Sequence, residues 1–263
     1  MSELLQFEVL GNVRDLGGMH TKDGRRVRSG KLIRSEYLHA ISQGDCEKLS
    51  GLIGTVVDFR TEEERKEKPD TRIPGVEYLH VPVVASFTAG ISREKEANQD
   101  MMFRFMDDPA GAKEYMSGMY RYFTESTFAM EGYERFVRLL LEGSDKAFLW
   151  HCSAGKDRAG IAAVIVEELL GVVREEIISD YMKTNDYLRK KLPGLMAEVK
   201  RQGGKDGAVV DDALWYFFGA DEYYIRSFYD AAEKNFGDFE GYLRRGLHIT
   251  EEEQESLRKR YLQ

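Results

Sequence analysis

The chain has 263 residues, with 38 lysines and arginines against 46 aspartates and glutamates, and its formal net charge is −8. This acidic balance argues against a general nucleic-acid binder. A hydrophobic share of 42% beside 32% charged residues is ordinary for a soluble globular protein, and the length fits one large domain with room for an insertion.

The sequence also suggests where the protein works. No apolar run approaches the ~18–20 residues of a membrane span, and residues 1–10 lack the basic start and apolar core of a signal peptide. The two cysteines, Cys46 and Cys152, do not make a disulfide framework and suit a reducing compartment. We therefore expect a cytoplasmic protein, although export without a signal peptide stays open.

Strands and helices alternate in the first third of the chain. Asn, Asp and Gly residues predict a turn over residues 12–18, and Asp23-Gly24 predicts a hairpin turn. Four further elements are predicted: a helix over 42–52, a buried strand over 55–59, a helix from a capping box at Thr61 and Glu64 to Pro69, and a strand over 77–84. This alternation predicts a parallel sheet covered by helices on both faces.

Residues 85–127 interrupt the alternation. They hold several aromatic residues and five of the ten methionines, namely Met101, Met102, Met106, Met116 and Met119. Pro109 and Gly111 divide the segment into two predicted helices. Methionine-rich aromatic surfaces adapt to varied partners, so a mobile lid is one interpretation. The other is two ordinary helices whose apolar side chains face the core.

The centre of the sequence is a strand, a short loop and a helix. Residues 147–150 predict a buried strand, and residues 161–170 predict an apolar helix that Gly171 ends. In this geometry backbone N–H groups converge at the helix N-terminus and attract an anion. Cys152 begins the loop and Arg158 follows six residues later. The loop would stabilise a nucleophilic thiolate, and the guanidinium could bind two phosphate oxygens.

The remaining sequence predicts mostly helices. They cover residues 175–191, ended by Pro193, then 215–236 and 238–245, and a last helix that a capping box at Thr250 and Glu253 begins. No internal repeat or linker is visible. We expect a single domain over residues 1–263.

The loop sequence, His-Cys-Ser-Ala-Gly-Lys-Asp-Arg-Ala-Gly over 151–160, resembles that of the protein tyrosine phosphatase superfamily, in its bacterial tyrosine/lipid (triple-specificity) branch. Similarity continues nearly end to end, at residues 12–18, 32–35, 56–60, 180–185 and 242–262. The resemblance implies an α/β fold with a central, mainly parallel sheet flanked by helices, a helical lid at about 85–127 and a helical C-terminal region. It implies hydrolysis of phosphotyrosine through a cysteinyl-phosphate intermediate, with phosphoserine/threonine or phosphoinositides as further substrates.

The resemblance also assigns residues. Cys152 would be the nucleophile, and Arg158 would bind the equatorial phosphate oxygens. The phosphate cradle would comprise Ser153, Ala154, Gly155 and Lys156, with Arg14 and Asp15 supporting the loop. Lys156 adds positive charge that suits a polyanionic headgroup, and His151 would support the loop rather than carry a proton.

A general acid must protonate the leaving oxygen, and two aspartates compete for this role. Asp157 lies in the loop, where the resemblance places the acid. Asp58 ends a predicted parallel strand, at the edge where ligands bind in open α/β sheets. Asp157 is the first choice and Asp58 the second.

Ala159 departs from the pattern, because the family usually has Thr or Ser after the arginine. The missing hydroxyl predicts slow hydrolysis of the intermediate, and the competing hypothesis is a phosphate-binding pseudophosphatase with little turnover. The loop and Arg158 supply positive charge, so we expect no metal or cofactor. The expected partners are phosphorylated proteins or phosphoinositides, and the oligomeric state stays open.

Overall fold

The structure is a computed structural model that describes residues 2–85, 103–203 and 205–263. Its sheet has six strands in the order β1-β2-β3-β6-β4-β5. These are β1 Glu3–Leu4, β2 Arg14–Asp15, β3 Leu32–Ser35, β4 Ile53–Asp58, β5 Glu77–His80 and β6 Ala147–His151. Strands β3, β6, β4 and β5 run parallel, whereas β1 and β2 are antiparallel. The predicted mainly parallel sheet is confirmed, with β5 at its edge.

Helices cover both faces of the sheet. In chain order they are α1 Gln43–Leu52, α2 Glu62–Glu67, α3 Pro109–Glu125, α4 Thr127–Glu142, α5 Arg158–Leu170, α6 Arg174–Met182, α7 Thr184–Gly203, α8 Ala208–Phe218, α9 Glu222–Phe236, α10 Phe239–Gly241 and α11 Glu251–Tyr261, with a π-helical turn at Tyr242–Gly246. Among the described residues, no helix combines the length and apolar character needed to cross a membrane.

Two apolar cores explain why the central strands are buried on both sides. The smaller core lies between α1 and one face of the sheet, where Leu49 packs with Ile33 and Leu149. The larger core lies on the other face and surrounds α5, whose thirteen residues are all buried. Burial all round explains the nearly uniform apolar sequence of α5, since an amphipathic helix would leave a polar stripe against other side chains.

Helix α3, within the described part of residues 85–127, packs against the larger core. Met116, Met119 and Tyr120 of α3 are buried there, as the second of the two interpretations anticipates for these side chains. Met106 is buried in a third cluster with α7 and α8. Met101 and Met102 lie outside the described residues, and the lid stays a prediction.

Two predicted helix boundaries were wrong. Pro193 lies inside α7, and the break falls at Lys183. Pro193 is exposed, so the carbonyl that loses its helical N–H partner can bond to water. The predicted helix over 215–236 is two helices, because Gly219 follows α8 and Asp221 caps the start of α9 by accepting from the backbone N–H of Tyr223.

Candidate active site

The candidate site is the loop between β6 and α5. Cys152 follows the last residue of the strand and is 2% exposed, and Arg158 begins the helix. Gly155 has a φ of +67°, and a Cβ there would lie 2.4 Å from the carbonyl oxygen of Ser35. Glycine is needed at this position both for its left-handed backbone and for the close approach of β3.

Every carbonyl from residue 152 to residue 159 accepts a hydrogen bond. The donors are His151 Nδ1 to Cys152, the backbone N–H of Tyr37 to Ser153, Asn12 Nδ2 to Ala154, Arg34 Nη2 to both Gly155 and Lys156, the backbone N–H of Ile161 to Asp157, the Tyr133 hydroxyl to Arg158 and Trp150 Nε1 to Ala159, over 2.8–3.4 Å. In a planar trans peptide the N–H points opposite to the C=O. Holding the loop carbonyls outward therefore turns the loop N–H groups inward, as an anion site requires.

Arg158 is fixed by a buried carboxylate. Its Nη1 lies 2.6 Å from Glu64 Oε2, and its Nη2 lies 2.9 Å from Glu64 Oε1. The Ser153 hydroxyl also donates to Glu64, which is 4% exposed. Burial alone would lower the pKa of the guanidinium, but Glu64 outweighs burial and raises that pKa. A guanidinium has five N–H donors, so an arginine oriented by one carboxylate can still bind phosphate oxygens.

Asp157 lies in a buried group of polar side chains. Its Oδ1 accepts from the Tyr120 hydroxyl at 2.6 Å and lies 3.2 Å from Lys156 Nζ. The Tyr120 oxygen is also 2.6 Å from the Tyr181 hydroxyl. The first-choice general acid is thus held by α3, α6 and its own loop.

Lys156 is 1% exposed, and its ammonium contacts protein oxygens. Nζ donates to the carbonyls of Phe217 at 2.9 Å and Gly219 at 3.0 Å, at the C-terminus of α8. A cation at a helix C-terminus satisfies end carbonyls and interacts favourably with the helix dipole. In this conformation Lys156 therefore joins the loop to α8.

Asp58, the second candidate acid, is held by arginines. Arg60 contacts both of its carboxylate oxygens, at 2.9 and 2.8 Å, and Arg65 lies 3.4 Å from Oδ2. His151 Nδ1 is 3.8 Å from Asp58 and its Nε2 is 3.1 Å from Asp70. Burial opposes protonation of His151, but Asp70 and then Asp58 outweigh burial and raise its pKa.

The same cluster is where a metal site would be sought. Donor atoms of Asp58, Asp70 and His151 lie within 4.8 Å of one another. However, Arg60 forms ion pairs with both carboxylates, which supplies the countercharge that a metal would bring. The donor set therefore fits a charge network rather than a metal centre.

Arg14 and Asp15, the two residues of the N-terminal turn that were expected to support the loop, make different contacts. Arg14 pairs with Asp180 at 3.0 Å and donates to Asn12, whose amide holds the Ala154 carbonyl, so Arg14 reaches the loop through Asn12. The Asp15 carboxylate accepts from the backbone N–H groups of Gly17 and Gly30 and shapes its own turn.

Sequence reasoning missed several residues that build the site. They are Glu64, Arg34, Asp70 and Tyr120, together with the roles of Asn12 and Asp180. Glu64 was recognised for its capping box, which the structure confirms, but nothing local indicated its pairing with Arg158. Asp180 and Arg34 carried a signal, since both belong to segments on which the family resemblance rests.

The fold and the loop together are typical of the Cys-x5-Arg class of phosphatases, which are phosphoric monoester hydrolases. The sequence profile of the tyrosine phosphatase family matches residues 5–263. The chain belongs to the tyrosine phosphatase family.

Individual relatives agree with this assignment. A Cupriavidus necator protein that carries the name tyrosine-protein phosphatase is 32% identical over 184 residues, which are 69% of this chain and 63% of that protein. The triple specificity protein phosphatase PtpB of Mycobacterium tuberculosis is 27% identical over 258 residues, which are 89% of this chain and 90% of that protein. A tyrosine-protein phosphatase of Nostoc commune is 26% identical over 165 residues, 62% of this chain and 51% of that protein. This chain therefore spans under two thirds of the Cupriavidus and Nostoc proteins.

Proposed function

We propose that the protein hydrolyses phosphotyrosine, and also phosphoserine/threonine or phosphoinositides, through a cysteinyl-phosphate intermediate. One observation carries the proposal: Cys152 and Arg158 stand at the two ends of a loop whose carbonyls all accept hydrogen bonds from the protein. This arrangement offers a nucleophile, a guanidinium and converging N–H groups to one phosphoryl group.

In the first step, Cys152 Sγ attacks phosphorus. An S–P bond forms, the ester P–O bond breaks, and Asp157 gives its proton to the leaving oxygen. In the second step, water attacks phosphorus, the S–P bond breaks, and Asp157 takes a proton from the water. Arg158 and the loop N–H groups bind the phosphoryl oxygens throughout, where negative charge is concentrated.

Asp157 remains the preferred acid on geometric grounds. It belongs to the loop itself, whereas both oxygens of Asp58 pair with Arg60. Both oxygens of Asp58 are thus already occupied by N–H donors of the protein. Replacing each aspartate with Asn tests this choice. The general acid is the aspartate whose loss slows hydrolysis of substrates with poor leaving groups.

The substrate range is proposed from the relatives. The Mycobacterium tuberculosis protein is named for triple specificity, and its match covers 89% of this chain. We therefore assign a broad range to this protein, with phosphotyrosine first. The position of Lys156 in this structure gives no preference for a headgroup.

The test is phosphate release from a phosphotyrosyl peptide, a phosphoseryl peptide and soluble phosphoinositides, with a metal chelator present throughout. Wild type should release phosphate, and Cys152→Ser should not. Cys46→Ser is the matched control, since Cys46 is half-buried in α1, and it should retain activity. Loss of release in Cys46→Ser but not in Cys152→Ser would overturn the proposal. No release by wild type, with ligand still bound, would favour the pseudophosphatase.

A further inference from the structure

The proposed mechanism makes two opposite demands on Asp157, and the following inference rests on that mechanism. Asp157 must carry a proton when the ester bond breaks and must accept one when water attacks. The oxygen that carries this proton must face the substrate, so the other oxygen must keep its partner in both states. A neutral hydroxyl that donates to this second oxygen meets the requirement, because the oxygen accepts a hydrogen bond both in the acid and in the carboxylate.

We propose that Tyr120 is the positioning residue for the general acid, and that the chain Tyr181–Tyr120–Asp157 keeps the same hydrogen bonds in both steps. In the carboxylate state Tyr120 donates to Oδ1 and accepts from Tyr181, across two contacts of 2.6 Å each. In the acid state the proton is on Oδ2, and Oδ1 still accepts from Tyr120. The oxygen–oxygen contacts persist in both states, so the carboxyl stays in place.

The surroundings keep the Tyr120 hydroxyl neutral and its ring fixed. Burial first, and then the neighbouring Asp157 and Tyr181, raise the pKa of Tyr120 well above its usual value. Burial also raises the pKa of Tyr181. The Tyr120 ring packs against Tyr181 at 6.0 Å and Tyr224 at 5.4 Å between centroids. A neutral and immobile hydroxyl loses little entropy when it orients its partner.

The contacts also distinguish the two oxygens of Asp157. Tyr120 and Lys156 both contact Oδ1. We therefore assign Oδ2 to the proton that moves to and from the substrate. Tyr120 itself touches no reacting atom in this assignment and acts through Asp157.

The experiment compares kcat/KM for two aryl phosphates. 4-Nitrophenyl phosphate has a leaving group that departs without protonation, whereas phenyl phosphate needs the acid. For Tyr120→Phe we expect a roughly tenfold loss with phenyl phosphate and less than about a twofold loss with 4-nitrophenyl phosphate, since general acid catalysis contributes about 10²–10⁴-fold. Tyr181→Phe should show a smaller loss of the same kind.

Two further variants separate positioning from structure. Tyr224→Phe removes another hydroxyl from the same aromatic cluster, one that donates to the Tyr216 carbonyl, and should leave the ratio between the two substrates unchanged. Adding Tyr120→Phe to Asp157→Asn should cost nothing more with phenyl phosphate, because Tyr120 acts through Asp157.

The outcomes distinguish the inference from the proposed function. An equal loss with both substrates in Tyr120→Phe, or an additive loss in the double variant, would overturn the role of Tyr120. If Asp157→Asn itself showed no selective loss with phenyl phosphate, the assignment of the acid would fail instead. Inactive wild type, or active Cys152→Ser, would refute the proposed function, on which both the role of Tyr120 and the assignment of the acid rest.

Discussion

Glu64 shows how one side chain can serve local structure and the site together. Its Oε2 accepts from the backbone N–H of Thr61, which completes the capping box of α2, and also from Arg158. The cap fixes the carboxylate at the start of the helix, and the fixed carboxylate then fixes the guanidinium plane. The short helix α2 thereby orients a residue 94 positions away in the chain.

Glu64→Gln tests this coupling. Glutamine can still accept from the Thr61 N–H, but it leaves Arg158 as a buried charge without its carboxylate, which costs roughly 3–5 kcal/mol. We expect the free energy of unfolding in urea to fall by that order. Misplacement of the guanidinium should also lower kcat/KM for a phosphotyrosyl peptide by about tenfold or more.

Glu63→Gln is the control, because Glu63 is exposed on the same helix turn and should have little effect on either measurement. Glu64→Gln with the stability and kcat/KM of wild type would mean that the pair contributes to neither.

Ala159 is the second residue with a specific expectation. It is fully buried where related loops carry a hydroxyl that helps the sulfur leave, so we expect the cysteinyl-phosphate to accumulate. Rapid-quench kinetics should then show a burst of the leaving phenol in wild type. Ala159→Thr should reduce the burst and raise steady-state turnover.

Ala159→Val separates chemistry from packing, since valine has the shape of threonine without its hydroxyl. Both variants add atoms to a packed site and should lose about 1–3 kcal/mol of stability. A burst that is absent in wild type, or turnover that rises equally in both variants, would contradict the expectation.

At the scale of elements, the sequence correctly predicted several features that are set by neighbouring residues. The capping boxes at Thr61 and Thr250, the hairpin at Asp23-Gly24 and the buried strands were correct because each depends on neighbouring residues. The break at Gly219 carried a local signal that a helical interpretation overrode. Pro193 was misread because its exposure, which makes a helical proline tolerable, depends on tertiary packing.

The supports of the loop could not be predicted, because they join distant segments. Asn12 and Ala154 are 142 residues apart, and Arg34 and Asp180 are 146 apart. The loop motif identifies what binds phosphate, but the motif alone does not say which side chains hold its carbonyls outward. Those partners depend on the order of strands in the sheet.

The contacts where β4, β6 and the segment after α2 meet predict that the stability of the protein depends on pH. Arg60 and His151 meet Asp70 there, and although burial favours the neutral acid, these cations hold the pKa of Asp70 well below its usual value. The raised pKa of His151 means that its contribution to stability is complete below about pH 6.5 and is lost as the pH rises through the folded value. The contribution of Asp70 is lost on the acid side, as the pH falls below about 4.

Asp70→Asn should therefore lower the free energy of unfolding and flatten its decline above about pH 6.5. Asn keeps an acceptor for the backbone N–H of Leu38, so the loop after α2 should persist. Urea unfolding from pH 4 to 9 measures both effects, with the exposed Asp145→Asn as control. An unchanged slope above pH 6.5 would show that Asp70 does not set the protonation of His151.

At the scale of the molecule, the loop lies between the sheet and the C-terminal helices. Asn12 and Arg34 hold it from the strand side, while Lys156 holds the end of α8 from the other side. Asn185, in α7, forms two 2.8 Å hydrogen bonds with the backbone of Ala220 and secures the same connection. The C-terminal helices are thus tied to the phosphate-binding loop through hydrogen bonds to their own backbone.

Lys156→Met tests whether Lys156 holds the C-terminal helices or binds the headgroup of a substrate. Methionine keeps the length of the side chain but removes charge-assisted hydrogen bonds, each worth about 1.5–3 kcal/mol. Freed from Lys156, the connection between α8 and α9 should open more often, and amide exchange at Gly219 and Ala220 should quicken. Hydrolysis of a phosphotyrosyl peptide and of a soluble phosphoinositide should fall by the same factor, because the loss lies in the loop rather than in substrate contact.

Lys190→Met, on the exposed side of α7, is the control and should change neither exchange nor substrate ratio. A selective loss of phosphoinositide hydrolysis with unchanged exchange would contradict the structural role and show that the ammonium turns toward the substrate. Equal losses with both substrates, together with faster amide exchange, would instead mean that Lys156 affects hydrolysis only through the helices it holds. A basic residue within the motif would then not by itself indicate a lipid phosphatase.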